Sequence, residues 1–358
     1  MRILLASNYY PEHMGGIETV AANLYREYSA AGHQVTWMAA DVRDRPHAGD
    51  SPLRAWNVTE RRFGFPYPIP GLGSLRRVRR AVAAADVLHL HDSLYAANVR
   101  AFVAARRRRR PVLLTQHVGP IPLRSRLLRG VQTAAYASLG RSLLSGADQV
   151  TFVSREVMAH FAARVRFRRP PVLVPNGVDV ELFHPLSDAE RANLRPDGRR
   201  LVLFAGRLVR RKGLHWIREV AARRPEWRFV LAGRPGDVNP AAWELKNVAV
   251  LPAQPQAELH RLYAAADVLL LPSSGEGFPV SVQEAMSSGT PAVVAEELAA
   301  QYPAPGLVGS RLDPAALVEA VEQAAAADRH AASEFARTTW SWAVAAARYL
   351  ELMQGISP

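Results

Sequence analysis

Short apolar runs alternate with longer alanine-rich segments along most of this chain, and each run is bounded by turn residues. In the first half the runs are Arg2–Ala6, Gln34–Met38, Val87–His91, Val112–Gln116 and Gln149–Val153. In the second they are Leu201–Ala205, Arg228–Ala232, Val248–Leu251, Val268–Pro272 and Ala292–Ala295. Runs this short and this continuously apolar suit strands buried on both faces, and helices between them imply parallel sheets. The chain has 358 residues, more than one hydrophobic core usually serves, so two such series predict two doubly wound α/β domains.

A local rhythm repeats inside this alternation. AAADVLHLHDS (Ala83–Ser93), AAADVLLLPSS (Ala264–Ser274) and, more loosely, GADQVTFVS (Gly146–Ser154) each run from a helix end through an aspartate into a strand. They read as equivalent structural slots. Open α/β sheets bind ligands beyond the carboxyl ends of their strands, and those ends carry His89, His91, Asp92, Thr115, Gln116, His117, Ser154 and Glu276. PNGVDVELFHP (Pro175–Pro185), with prolines at both ends and an Asn-Gly turn, marks the domain boundary.

Charge is lopsided. Met1 to Pro175 holds 26 Arg and Lys against 11 Asp and Glu, a net of +15; the remainder holds 19 against 21, a net of −2. The excess is concentrated in LRRVRR (Leu75–Arg80), in the run Arg106–Arg110 and in the group Arg124, Arg126 and Arg129. A basic domain attracts polyanions such as nucleic acid, anionic lipid or a phosphorylated substrate; the plain alternative is a solvated arginine-rich surface. There is no cysteine, which excludes disulfides, thiolate metal sites and cysteine catalysis. No apolar run has the length of a membrane span, and MRILLASNYYPE reads as a first strand, not a signal peptide. The expected location is the cytoplasm.

Two stretches carry chemistry. In SSGEGFPVSVQEAMSSGTP (Ser273–Pro291), Glu276 falls in a strand-to-helix loop and Glu284 in the early turns of a helix starting near Val280 and stopping at Gly289. Amides around Pro279 to Ser281 make an anion site at that helix start. Carboxylates flanking an anion site accept hydrogen bonds from hydroxyls, so the pair suits a ligand with sugars on both sides of a phosphate. Upstream, FAGRLVRRKGLHWI (Phe204–Ile217) places Arg207 and Lys212 around a turn ending at Gly213. Arginine offers a planar fork to phosphate oxygens and lysine a compact point charge.

GRLVRRKG, EGFPVSVQEAMSSGTP and PNGVD together resemble glycosyltransferase family 4, and NYYPEHMGGIE (Asn8–Glu18) and LTQH (Leu114–His117) fit the same family. The resemblance runs from Met1 to about Leu352. It implies the GT-B fold: two Rossmann-like domains facing across a cleft, 1–175 on the acceptor side and 186–335 on the donor side. A terminal helix, 336–358, would return to the N-terminal domain. It implies retaining transfer of a sugar from a nucleotide-diphosphate sugar, UDP- or GDP-linked, to a hydroxyl acceptor. By the same resemblance Arg207 and Lys212 hold the diphosphate, Glu284 the ribose hydroxyls and Glu276 the hydroxyls of the transferred sugar. Gly277, Phe278, Pro279 and Val280 line sugar and phosphates, although Pro279 has no N–H. Gly15 and Gly16 let the first loop approach the phosphates, and His117 reaches the donor sugar near its reacting carbon. AEELAAQYPAP (Ala295–Pro305) departs from the family, which often has a glycine pair there.

Front-face attack is the mechanism the resemblance favours, since no carboxylate stands out as a nucleophile for double displacement. There is no Asp-x-Asp motif, and Arg207 with Lys212 supply positive charge, so no metal cofactor is expected. On the acceptor side, Arg76, Arg77, Arg80, Arg124, Arg126 and Arg129, with Leu123, Leu127 and Leu128, would seat the basic domain on an anionic membrane surface. A lipid-linked acceptor in polysaccharide, lipopolysaccharide or glycolipid assembly would fit, with a soluble small-molecule acceptor as the alternative. A non-catalytic polyanion binder explains the charge but leaves Glu276, Glu284 and the Arg207–Lys212 loop without a role, and no nucleic-acid motif is present. A nucleotide-sugar epimerase lacks support from the transfer motifs. A nicotinamide dehydrogenase is disfavoured because the first strand leads into MGGIE, not a spaced Gly-x-Gly-x-x-Gly.

Overall fold

The computed structural model describes residues 1–11, 16–41, 51–56, 67–120, 126–195, 197–274 and 277–357. They form two compact units, Met1–Asn176 with Ala345–Pro358, and Gly177–Val344.

The first unit is built on β1 (Arg2–Tyr9), β2 (Gln34–Asp41), β3 (Leu53–Trp56), β4 (Ile69–Pro70), β5 (Val87–His91), β6 (Val112–Gln116), β7 (Gln149–Phe152) and β8 (Val172–Leu173). Their order is β4-β3-β2-β1-β5-β6-β7-β8, parallel throughout except for the β3/β4 pair. The second unit holds β9 (Leu201–Ala205), β10 (Arg228–Ala232), β11 (Val248–Leu251), β12 (Val268–Leu271), β13 (Ala292–Ala295) and β14 (Leu307–Ser310). Its order, β11-β10-β9-β12-β13-β14, is fully parallel. That is the doubly wound Rossmann arrangement, with the strand order reversing between β9 and β12. Together the two units make the two-domain GT-B type of fold.

All ten expected runs fall on strands. β3, β4, β8 and β14 were not legible because they lie at or near sheet edges, where half-solvated strands lack a continuous apolar run. β4 even contains Pro70, which an edge strand tolerates.

The repeated Ala-Asp slots have a common physical role. Asp86, Asp148 and Asp267 each stand just before a strand and accept the backbone N–H that opens the neighbouring strand. Those donors are Arg2 at 2.8 Å, Val112 at 2.9 Å and Leu201 at 2.8 Å. Each aspartate also takes a guanidinium: Arg2 on Asp86, Arg168 on Asp148, and both Arg191 and Arg195 on Asp267. An N–H at the amino end of a sheet has no ladder partner of its own, so the carboxylate satisfies it and sets the register. Polar ligand-facing residues are thereby left to the opposite, carboxyl ends.

In the first unit the terminal helix Trp342–Ile356 is tied down by buried polar groups. The Tyr349 ring packs against His89 at a tilt, 4.8 Å between centroids. His89 joins a chain running from the Tyr28 hydroxyl (3.0 Å) through His89 to Thr115 (2.7 Å) and Thr151 (2.7 Å). Both His89 nitrogens are therefore engaged in packing the fold.

Candidate functional site

Two turns of the same local sequence, Ala205-Gly206-Arg207 and Ala232-Gly233-Arg234, leave the carboxyl ends of the adjacent parallel strands β9 and β10. They are stitched together: Gly206 N–H donates to the Ala232 carbonyl and Leu208 N–H to the Arg234 carbonyl, both at 3.0 Å. A Cβ on Gly233 would stand 1.7 Å from the Gly206 carbonyl oxygen, so only glycine allows this approach. Arg207 and Arg234 are consequently presented together at the carboxyl end of the sheet, both exposed.

Beyond Arg207 the chain makes a 3₁₀ turn, Arg210–Lys212, and enters the helix Leu214–Arg223 through Gly213. Gly213 has φ +75°, and a Cβ there would lie 2.0 Å from the Pro272 carbonyl oxygen. The turn is thus pressed against the end of β12, and Ser274 N–H donates to the Arg211 carbonyl at 3.2 Å. Lys212 folds back toward the Gly206 turn, its Cε 3.8 Å from where a Gly206 Cβ would be.

Glu284 sits on the helix Val280–Ser287 and accepts a 2.9 Å hydrogen bond from the Tyr263 hydroxyl. The residue is half-buried, and burial of its carboxyl raises the pKa to about 7, with the Tyr263 bond opposing the rise. Near neutral pH this side chain is therefore poised between carboxylate and carboxylic acid. Arg207, Arg234, Ser281 and Glu284 share one cavity of about 280 Å³ with Tyr263 and the two glycine turns. Cationic forks and a desolvated carboxyl on one small cavity can hold a ligand carrying both a phosphate and hydroxyls.

Among the other expected residues, Pro279 caps the helix Val280–Ser287 from the extended region, and Val280 is exposed. The Phe278 ring stacks on Tyr302 at 4.2 Å and meets Trp340 edge-on at 4.7 Å, so that ring is committed to packing. Gly277 is half-buried. Glu276 and Gly15 lie outside the described residues. Gly16 opens the helix Gly16–Ala30, with nothing near where a Cβ would point. Arg124 also lies outside the described residues; Arg126 opens the helix Arg126–Ala135, and Arg129 is exposed on it. Arg76, Arg77 and Arg80 are exposed on the helix Ser74–Ala84, whose buried positions Ser74, Val78 and Val82 recur every fourth residue.

His117 belongs to the first unit, in a buried polar group at the carboxyl ends of β5 and β6. Its Nε2 is 2.7 Å from His91 Nδ1, and burial pushes His89, His91 and His117 well below the ordinary imidazole range. All three are neutral at pH 7. Asp92 turns there with φ +68°, and its Oδ1 accepts the His117 N–H at 2.9 Å. Burial raises Asp92 to about 7, the N–H groups of His117 and Val118 oppose this, and Glu18 adds to it. Among the described residues no cluster of three or more His, Asp or Glu is arranged to hold a metal.

Sequence reasoning passed over Gly233, Arg234 and Tyr263; Ser281, at the helix start expected to hold an anion, lines the cavity. The signal for the first two was available: LAGRP repeats FAGRL one strand later. Tyr263 gave none, because it reaches Glu284 from a different helix, Gln256–Ala265.

Two family models match the chain: Glycosyltransferase Family 4 over residues 14–182, and Glycosyl transferases group 1 over residues 187–337. A D-inositol 3-phosphate glycosyltransferase of Segniliparus rotundus is 36% identical over 140 residues, 35% of this chain and 31% of that protein. A GDP-mannose-dependent alpha-mannosyltransferase of Mycolicibacterium smegmatis is 28% identical over 309 residues, 82% of this chain and 79% of that protein. Matches to D-inositol 3-phosphate glycosyltransferases span between 29% and 51% of those proteins' own length. Among solved structures, Anabaena Alr3699/HepE in complex with UDP and glucose superposes with a TM-score of 0.70 at 19% identity, covering 99% of this chain and 100% of that one.

Proposed function

We propose, from the premise that this chain belongs to glycosyltransferase family 4, that it transfers a sugar from a nucleotide-diphosphate sugar to a hydroxyl acceptor with retention of configuration. The observation that carries the reading is the cavity in which Arg207, Arg234 and Glu284 meet at the carboxyl ends of parallel strands. Arg207 and Lys212 bind the diphosphate and stabilise the charge that grows on it as the bond to the sugar breaks. Glu284 accepts from the ribose hydroxyls, Glu276 from the transferred sugar, and Gly15, Gly16 and Gly277 to Val280 shape the donor's surroundings. His117 contacts the sugar near its reacting carbon, as a neutral hydrogen-bonding group.

In front-face transfer the bond from the anomeric carbon to the phosphate oxygen breaks while the acceptor oxygen bonds on the same face. The acceptor's proton passes to the departing phosphate oxygen. Cationic side chains supply the positive charge at the diphosphate, so the reaction needs no metal. UDP and GDP are the nucleotides favoured, after the Anabaena complex and the Mycolicibacterium mannosyltransferase.

The test is calorimetry and slow donor hydrolysis with UDP- and GDP-sugars, in chelator, at pH 6 and pH 8. One donor is expected to bind and release sugar in chelator. A carboxyl accepts from ribose hydroxyls more strongly when ionised, and at a pKa of about 7 its ionised fraction rises with pH across this range. Binding is therefore expected to be about tenfold tighter at pH 8, and flat with pH in Glu284→Gln. Failure of every donor to bind would sink the reading. A covalent glycosyl-enzyme on a carboxylate would replace front-face transfer with double displacement.

The acceptor we favour is lipid-linked, in polysaccharide, lipopolysaccharide or glycolipid assembly, with the first unit resting on an anionic membrane surface. Trp56 and Ile69, a cross-strand pair, and Leu72 support this: they are 75%, 48% and 82% exposed at the edge that leads into the arginine helix Ser74–Ala84. Exposed apolar groups beside Arg76, Arg77 and Arg80 suit an interfacial contact. No helix among the described residues is long and apolar enough to cross a membrane. Binding to anionic vesicles is expected to fall about a hundredfold when the three arginines become glutamine, at roughly 1 kcal/mol each. Equal binding by that variant would favour the soluble acceptor, in line with the inositol phosphate in the names of several relatives.

A further inference from the structure

The first unit contains a cavity that the donor chemistry does not use. It has a volume of about 540 Å³ and lies among the helices that follow β6 and β7. That is within the roughly 300–1,000 Å³ typical of small-ligand sites. Its walls are apolar, from Tyr136, Ala137, Phe161 and Val165, with the Tyr136 and Phe161 rings 5.4 Å apart. Arg141 and Arg164 line it with no carboxylate among the described lining residues, and neither makes an ion pair with another described residue. Arg164 donates one bond, 2.6 Å, to the His160 carbonyl, so the guanidinium keeps most of its hydrogen-bonding capacity. Burial and the nearby Arg164 lower the His160 pKa, which disfavours its charged form.

The cavity also adjoins the polar group described above. Pro120, on its wall, follows His117 by three residues. Tyr136 bridges the two regions: its ring lines the cavity, and its hydroxyl feels the Asp92 carboxyl, which with burial raises its pKa.

We propose that this cavity binds the hydrocarbon chain of an anionic amphiphile, an alkyl or isoprenoid phosphate, with Arg141 and Arg164 on the phosphate. The assignment rests on the lipid-linked reading of the acceptor and gives that acceptor's lipid end a place in the first unit. Apolar walls select a chain over a sugar, because burying unpartnered hydroxyls there would be unfavourable. Two guanidinium groups with no ion pair to a described residue select an anionic head over a neutral one.

Calorimetry on the full chain tests it with decyl phosphate, decanol and inorganic phosphate. Decyl phosphate is expected to bind, decanol at least about tenfold more weakly for want of charge-assisted bonds, and inorganic phosphate not measurably. Ala137→Phe fills the cavity from an exposed helix position, and Thr133→Trp does so independently should the first variant misfold. Either is expected to reduce decyl phosphate binding at least about tenfold while nucleotide-sugar binding is retained, as for loss of most of a ligand's apolar burial. Arg141→Glu with Arg164→Glu is expected to abolish the preference for decyl phosphate over decanol. Unchanged binding in the filled variants, equal binding of decanol, or binding of inorganic phosphate alone would overturn the assignment. Nucleotide-sugar binding without decyl phosphate binding would remove the lipid site and leave the transferase reading standing.

Discussion

Lys212→Ala is expected to lower kcat by about two to three orders of magnitude, the cost typical of removing one preorganised charge-stabilising donor. The ammonium is held by the turn that Gly213 makes possible, and its stem returns to the Gly206 turn beside Arg207. A point charge placed there acts most strongly when the leaving diphosphate gains its negative charge. KM for the donor should therefore change far less than kcat. Lys246, the other lysine of the chain and exposed on the same unit, is the control: Lys246→Ala is expected to leave both constants unchanged. Lys212→Arg should recover only part of the rate, because a planar fork cannot occupy the position of a compact ammonium. A loss confined to KM would show that Lys212 binds ground state and transition state alike, and would remove it from the catalytic group.

The largest structural effect is expected at Gly213. Its φ of +75° disfavours any side chain by roughly 1–2 kcal/mol. An alanine Cβ would in addition lie 2.0 Å from the Pro272 carbonyl oxygen, a backbone atom that moves only with the end of β12. Gly213→Ala should thus destabilise the second unit by on the order of 3 kcal/mol or more, as overlaps with fixed atoms do. Gly198 separates the two causes. Its φ is +61° with nothing within 4 Å of the added carbon, so Gly198→Ala should show the conformational cost alone. Chemical denaturation of the two variants reads the difference. Equal losses would mean that the approach of Gly213 to Pro272 contributes nothing. Because Ser274 N–H bonds the Arg211 carbonyl on the same turn, any variant that does fold should also bind donor more weakly.

Much of the molecule was legible in one dimension because its determinants are local. Short, largely apolar runs bounded by turn residues located β1, β2, β5 to β7 and β9 to β13, the half-buried edge strand β11 included. The Ala-Asp pattern before β5, β7 and β12 was visible as a rhythm, but its purpose was not. Each aspartate satisfies an N–H on a neighbouring strand: Arg2 is 84 positions from Asp86, and Leu201 is 66 positions from Asp267. Arg207, Lys212 and Glu284 could be picked out by type and spacing, since phosphate and hydroxyl recognition restrict the side chains that serve. Tyr263 could not, nor could the pKa of Glu284, because burial and a hydroxyl delivered by another helix act across space.

Composition and spacing by themselves determined two parallel α/β units, a basic first half and the presence of Arg207, Lys212 and Glu284 in loops and helix starts after strands. Only the tertiary structure decided that two Ala-Gly-Arg turns close on each other through Gly233, and that the Phe278 ring stacks on Tyr302. It likewise decided that Arg141 and Arg164, from different helices, line one cavity with Tyr136 and Phe161. The physical reason is the same in each case. Secondary structure follows from periodicity along the chain, whereas desolvation, steric exclusion and charge pairing depend on which distant segments are brought within a few ångströms.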